Sequence, residues 1–118
     1  MREELSYFRA EGNKRGEAAM LVAVAEALTD LRGSSHLTEA LDYVMDAQDI
    51  ARELGDMKLE GDCAKWKCDI LCSRHRYKQA MLAAKEAIKL FNKVGDTKNE
   101  AFAWKAMGSA QISNGRLE

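Results

Sequence analysis

The sequence has no proline, and only 7% of its 118 residues are aromatic. Proline breaks helices, so its absence leaves long helices uninterrupted. No apolar run approaches the ~20 residues that a membrane-spanning helix needs. The N-terminal residues also lack the basic and then apolar layout of a signal peptide. The net charge of −1 argues against a nucleic-acid-binding protein held by bulk electrostatics.

Cysteine is scarce, and Cys63, Cys68 and Cys72 all fall within one predicted helix. An odd number of closely spaced cysteines does not suit a disulfide framework, so we expect a reducing, intracellular and cytoplasmic location. Cys68, Cys72 and His75 share one helical face. Structural zinc sites, however, usually draw ligands from two chain segments with short spacings between the cysteines. We therefore expect no metal site and interpret Cys63 and Cys68 as small core residues.

Helix-forming residues dominate what is present. Hydrophobic residues make up 47% of the chain and charged residues 31%, a balance typical of globular proteins. Apolar residues recur at helical spacing, and no stretch shows the alternation typical of a strand. The predicted helical segments are residues 1–11, Lys14–Arg32, Leu37–Leu54, Met57–Cys72, Tyr77–Val94 and Thr97–Ser113. The sequence therefore predicts an all-α fold.

Two Gly-Asp pairs, Gly55-Asp56 and Gly95-Asp96, separate successive helices at positions forty residues apart. Glycine readily adopts the left-handed conformation that ends a helix, and the aspartate can cap the helix that follows. At the second pair, Thr97 and Glu100 also have the spacing of a capping box, so either Asp96 or Thr97 is expected to be the cap.

Small polar residues predict two further boundaries. Gly33 interrupts the helical pattern, and Ser34 or Ser35 is expected to cap the helix that follows. Asn114-Gly115 is expected to close the last helix, because asparagine and glycine favour helix C-termini.

One sequence pattern occurs three times, in Tyr7–Ala25, Ala51–Cys68 and Lys89–Gly108. In each copy the end of a helix is followed by a turn with glycine and by the start of the next helix. Self-similarity at this period is the signature of an array of helical units. An offset of 83 aligns Phe8 with Phe91. We divide residues 1–118 into the end of a preceding helix (1–12), a first repeat (13–54), a second repeat (55–94) and the first helix of a third (95–118).

The positions inside these units match a known pattern. Matching residues are Leu21, Val24, Ala25, Leu28, Ala40, Val44, Ala47, Cys68, Leu71, Tyr77, Ala80, Ala84, Ala87, Trp104, Met107 and Gly108. Ala64 and Lys67 depart from it, because a large residue and a leucine are usual there. Over its whole length the chain resembles the tetratricopeptide repeat family in its form of about forty residues. The resemblance implies a right-handed α-solenoid of antiparallel helix pairs, whose first-position helices line a groove that holds peptides, helices or proteins.

The resemblance also implies which residues line the groove. These are Ala19, Val22, Ala23 and Glu26 on the first helix of repeat 1, Asp62, Lys65, Trp66, Asp69 and Cys72 on that of repeat 2, and Phe102, Lys105, Ala106, Ser109 and Ile112 on that of repeat 3. A solvent-facing Trp66 would be a binding anchor, since tryptophan is enriched among hot spots. A rotated helix would instead bury it in the core, and Phe102 leaves the same two alternatives. Asp69 would repel a peptide carboxylate, which disfavours a groove that grips carboxylates. We interpret Lys65 and Asp69 as a surface pair one helical turn apart.

The ends of the array form a second candidate site. Leu5 and Phe8 at one end, with Trp104 and Met107 at the other, are expected to form exposed apolar faces, and Ala110 extends the second face. Terminal repeats normally carry a polar capping surface. We therefore expect a homo-oligomer, a neighbouring subunit or the remainder of a longer array to pack there.

No pattern in the sequence predicts catalysis or a cofactor. His36 and His75 lie in predicted loops without a partnered nucleophile, and no glycine run is arranged to bind phosphate. The expected function is that of a non-catalytic interaction module for a protein or peptide. The alternative is a structural spacer or self-association segment of a larger assembly or multidomain regulator, with an empty groove.

Overall fold

The structure is a computed structural model that describes residues 13–31 and 33–117. Within these ranges five helices follow one another: α1 (Lys14–Leu31), α2 (Ser34–Leu54), α3 (Met57–Ser73), α4 (Tyr77–Val94) and α5 (Thr97–Leu117). This part of the chain contains no strand, which confirms the predicted all-α class. The helical segment predicted for residues 1–11 lies outside the described residues, and so do Leu5 and Phe8.

The two Gly-Asp turns have the predicted geometry. Gly55 and Gly95 are left-handed, with φ of 69° and 74°. Asp56 then caps α3, since its Oδ1 accepts a hydrogen bond from the Leu59 backbone N–H at 3.0 Å. Asp96 does the same for α5, accepting from the Asn99 N–H at 3.2 Å. The cap of α5 is therefore Asp96, whereas Thr97 is the first helical residue.

Two helix boundaries differ from the prediction. α2 begins at Ser34, with the extended Gly33 (φ −77°, ψ 150°) in the cap position. The expected start at Leu37 and the expected serine caps are therefore wrong, and His36 lies within α2 instead of a loop. α5 continues through Asn114-Gly115 to Leu117. A glycine inside a helix costs only about 1 kcal/mol, so Gly115 is too weak a signal to end it.

Consecutive helices pack against each other along the chain, and α3 also contacts α5. The small residues that the sequence places in stripes are buried in these contacts: Ala40 and Ala47 on α2, and Ala80, Ala84 and Ala87 on α4. Small side chains let neighbouring helix axes approach closely. The helical part is elongated, with extents of 48 × 35 × 18 Å.

One close approach fixes the α3–α4 pair. Phe91 of α4 is fully buried, and its ring lies so near Gly61 of α3 that a Cβ added there would be 2.9 Å from it. Ala64, Ala87 and Ala103 complete this cluster. The cluster joins α3, α4 and α5, so it holds α3 and α5 in a fixed relation to each other.

The hydropathy of the helices shows whether any of them could span a membrane. In the described ranges, none of the helices is both long enough and apolar enough to cross a membrane.

Candidate partner-binding cleft

The odd-numbered helices α1, α3 and α5 contribute to one open surface, which we call the cleft. It has a volume of about 470 Å³. Its lining residues are Ala19 and Val22 of α1, Lys58, Leu59, Asp62, Lys65 and Trp66 of α3, and Asn99 of α5. The cleft is therefore shared by the helices that would hold the first position in each of the predicted repeats.

Trp66 combines the two positions that the sequence left open. Its side chain is half-buried and packs against the core cluster between α1 and α2. The remainder of the side chain lines the cleft beside Val22. An aromatic ring held by the core on one side is a rigid contact surface, because few rotamers remain open to it.

Lys65 connects α3 to α5 across the cleft. Its ammonium lies 5.8 Å from the centre of the Phe102 ring, within range of a cation–π interaction, and Nζ is 3.5 Å from Oδ1 of Asn99. Phe102 keeps half of its surface exposed. The ion pair on this side of α3 joins Lys58 to Asp62, at 3.8 Å. Lys65 thus reaches towards α5, while its charge also acts on Asp69, one helical turn further along α3.

The two aspartates of α3 are desolvated by the surrounding protein. Burial raises the pKa of Asp62, while the nearby Lys58 and Lys65 oppose that shift. Burial likewise raises the pKa of Asp69, with Lys65 opposing it. Asp69 is nevertheless accessible to solvent, so the surrounding protein desolvates its carboxyl group without covering it. Both carboxyl groups therefore hold protons to a higher pH than a free aspartate does.

Lys105 and Ser109 lie away from the cleft. Lys105 lines a separate depression of about 270 Å³ with Lys98, Ala101 and Phe102, and Phe102 is connected to the cleft through its contact with Lys65. Ser109 is exposed further along α5. The structure thus brings together Asp62, Lys65, Trp66 and Phe102 from the predicted set and does not add Lys105, Ser109 or Asp69 to the cleft lining.

Three lining residues, Lys58, Leu59 and Asn99, were missed by sequence reasoning. Lys58 and Leu59 precede Asp62 by four and three residues, so helical spacing alone places them on the same side of α3. That signal was available in the sequence. Asn99 had no such signal, because its role depends on how α5 lies against α3.

The end face on α5 is smaller than predicted. Trp104 is 55% exposed, but Met107 is half-buried and packs against the α3–α4 core, and Ala110 is buried in the same cluster. Met107 is displaced by about 60° from Trp104 around the helix, and this displacement places it against the α3–α4 core. The open side of α5 consists of Ala101, Trp104 and Gly108, whose equivalents forty residues earlier, Gly61, Ala64 and Cys68, are buried.

The three thiols differ in burial, and His75 lies at the surface. Burial raises the pKa of Cys63 to about 12 and that of Cys68 to about 12. It also raises the pKa of Cys72, which is half-buried. His75, in a left-handed conformation with φ of 61°, has Nδ1 2.7 Å from the Tyr77 hydroxyl. No group of three potential metal ligands gathers in the described residues.

No family model matches the sequence, and no curated protein matches it either.

Proposed function

We propose that the chain is a right-handed, tetratricopeptide-like array that acts as a non-catalytic interaction module. It holds a peptide or helix of a partner protein in the cleft between α1, α3 and α5. The observation that supports this proposal is that Trp66 and Lys65 line the cleft together and that Lys65 also lies against the exposed Phe102 ring. Aromatic side chains are enriched in binding hot spots, and here Trp66 is anchored by the core before any partner arrives.

The polar rim of the cleft restricts the partner. Lys58 and Asp62 are already paired, and Lys65 is placed over Phe102. A peptide held mainly by one charge would gain little from such a rim, because the opposite charges lie next to each other. The cleft therefore suits apolar side chains that pack on Trp66 and Phe102, flanked by polar groups of either sign.

The second candidate is a structural segment of a larger assembly. It is favoured by the open side of α5, where Trp104 is 55% exposed and a Cβ added at Gly108 would meet no atom within 4 Å. A helix or subunit of a partner could pack there and leave the cleft empty.

Peptide-display selection on the wild-type chain tests the first candidate. Selected peptides should bind the wild type and lose at least about tenfold in affinity, near 1.4 kcal/mol, on a Lys65→Ala, Phe102→Ala double variant. The matched control is Leu82→Ala, Lys85→Ala, which removes one exposed apolar residue and one lysine from α4. Equal loss on both variants, or peptides that lose binding only with Trp104→Ala, would favour the second candidate.

A further inference from the structure

The outer faces of α2 and α4 carry opposite charges. α2 has five acidic residues, Glu39, Asp42, Asp46, Asp49 and Glu53, against Arg52, which gives a net charge of −4 with His36 neutral. α4 has four lysines, Lys78, Lys85, Lys89 and Lys93, against Glu86, which gives +3. A chain with a net charge of −1 thus contains two strongly charged stripes on alternate helices. We call them the acidic stripe and the basic stripe.

An apolar depression of about 310 Å³ separates the two stripes. Its apolar lining comes from three helices: Leu41 and Met45 of α2, Leu71 of α3, and Leu82 and Ala83 of α4. Met45 is 45% exposed and Leu82 is 66% exposed. Large apolar side chains grouped on a surface and flanked by charge are typical of interaction sites.

The acidic residue that lines this depression is already paired within the chain. Glu86 forms an ion pair with Arg52 at 3.2 Å and accepts a hydrogen bond from Gln48. The charges further out differ: Asp42, Asp46, Lys85 and Lys89 are exposed, and none has an ion-pair partner among the residues that the structure describes. These outer charges are the ones that a docked surface would meet.

We propose that the face formed by α2 and α4 is a self-association surface whose occupant is a second copy of this chain. A two-fold axis parallel to the helices places α2 of one copy opposite α4 of the other, so each acidic stripe meets a basic stripe. The same operation brings Met45 towards Leu82 across the centre. A face with acidic residues on one side of an apolar strip and basic residues on the other is complementary to itself, as a two-fold interface requires.

The charge pattern also discriminates between occupants. A nucleic acid or an anionic membrane would be attracted by the lysines of α4 and repelled by the acids of α2. A second copy satisfies both stripes at once. Helices of 21 and 18 residues are ~27–31 Å long, and two of them side by side offer on the order of 600 Å². This is somewhat below the ~800 Å² per partner of a standard interface, so the dimer is weak and depends on ionic strength.

Reciprocal charge reversal tests the arrangement by sedimentation equilibrium. The acidic-stripe variant is Asp42→Lys, Asp46→Lys, and the basic-stripe variant is Lys85→Glu, Lys89→Glu. The wild type is expected to dimerise at protein concentrations of about 0.1 mM at low ionic strength, with weaker association at high salt. Each variant alone places like charges opposite each other and should be monomeric. An equimolar mixture of the two should restore association, as a heterodimer.

Four further outcomes bear on the proposed surface. Trp104→Glu, on the open side of α5, should leave the dissociation constant unchanged. A wild type that stays monomeric at about 1 mM would overturn the proposal, as would charge-reversed variants that still dimerise or a mixture that stays monomeric. Circular dichroism checks that each variant is folded, which is expected because all four substituted side chains are exposed.

Discussion

Gly61 of α3 and Gly108 of α5 both lie inside a helix but have different surroundings. A Cβ at Gly61 would lie 2.9 Å from the buried Phe91 ring, whereas a Cβ at Gly108 would meet no atom within 4 Å. Both residues have the low helix propensity of glycine. Replacing each by alanine therefore separates helix propensity from packing.

Gly108→Ala is expected to raise the free energy of unfolding by ~0.5–1 kcal/mol, because alanine favours the helix. Gly61→Ala should lower it by ~1–2 kcal/mol, because the gain in propensity is outweighed when Phe91 is forced to move in a tightly packed core. Urea unfolding of both variants measures the difference. Equal gains in the two variants would show that α3 and α4 are not packed as closely as described.

Cys63 and Cys68 are expected to make the free energy of unfolding decrease at high pH. Burial raises the pKa of each thiol to about 12, above the ~8.5 of an unfolded cysteine. The folded state therefore keeps these protons longer than the unfolded chain. The corresponding stability is fully present below about pH 8.5 and is lost as the pH rises towards 12.

A Cys63→Ala, Cys68→Ala double variant should consequently lose less stability than the wild type between pH 8 and pH 10.5. The alanines fit, since Ala103 occupies the position equivalent to Cys63 forty residues later. Cys72→Ala is the control, because Cys72 is only half-buried. Thermal unfolding at the two pH values provides the measurement. An identical pH dependence in the wild type and the double variant would contradict burial of the thiols.

At the scale of the helix, the two Gly-Asp turns were predictable and other boundaries were not. Gly55 and Asp56 each supply a strong local preference, and the two preferences agree. Gly115 supplies one weak preference that the rest of α5 overrides. The start of α2 was misplaced because a serine after glycine was interpreted as a cap, whereas the extended Gly33 fills that position.

The cap of α3 is expected to depend on pH. The hydrogen bond from the Leu59 N–H, together with Arg15, lowers the pKa of Asp56. A lowered pKa stabilises the fold above the unfolded value of ~3.9, and that contribution is lost as the pH falls through the folded value. Asp56→Ala should therefore cost about 1 kcal/mol at pH 7 and less at pH 3.

Asp56→Asn is the matched control for this cap. Asparagine caps about as well as aspartate, so the substitution should cost little stability at pH 7. Because asparagine does not titrate, the cap of this variant should also not weaken between pH 7 and pH 3. Chemical denaturation at pH 7 and pH 3 separates the variants. If Asp56→Ala cost as much at pH 3 as at pH 7, the ionised side chain would not be the stabilising species.

At the scale of the whole molecule, the sequence predicted the order of elements better than it predicted the site. The family resemblance predicted that Asp62, Lys65 and Trp66 belong to one side of α3. It did not indicate that Lys65 reaches Phe102 or that Met107 turns towards α4. Both depend on the distance and rotation between helices, which small core residues such as Gly61 set through three-dimensional packing.

The most direct measurement of the central proposal is NMR mapping of a bound peptide on the isotope-labelled chain. With a peptide selected on the wild type, saturable shifts of backbone amides should concentrate in α1, in Lys58–Trp66 of α3 and in Asn99–Phe102 of α5. Lys65→Ala, Phe102→Ala should abolish them at the same peptide concentration. Shifts confined to α2 and α4, or to Trp104 and its neighbours on the open side of α5, would contradict a cleft that binds partners.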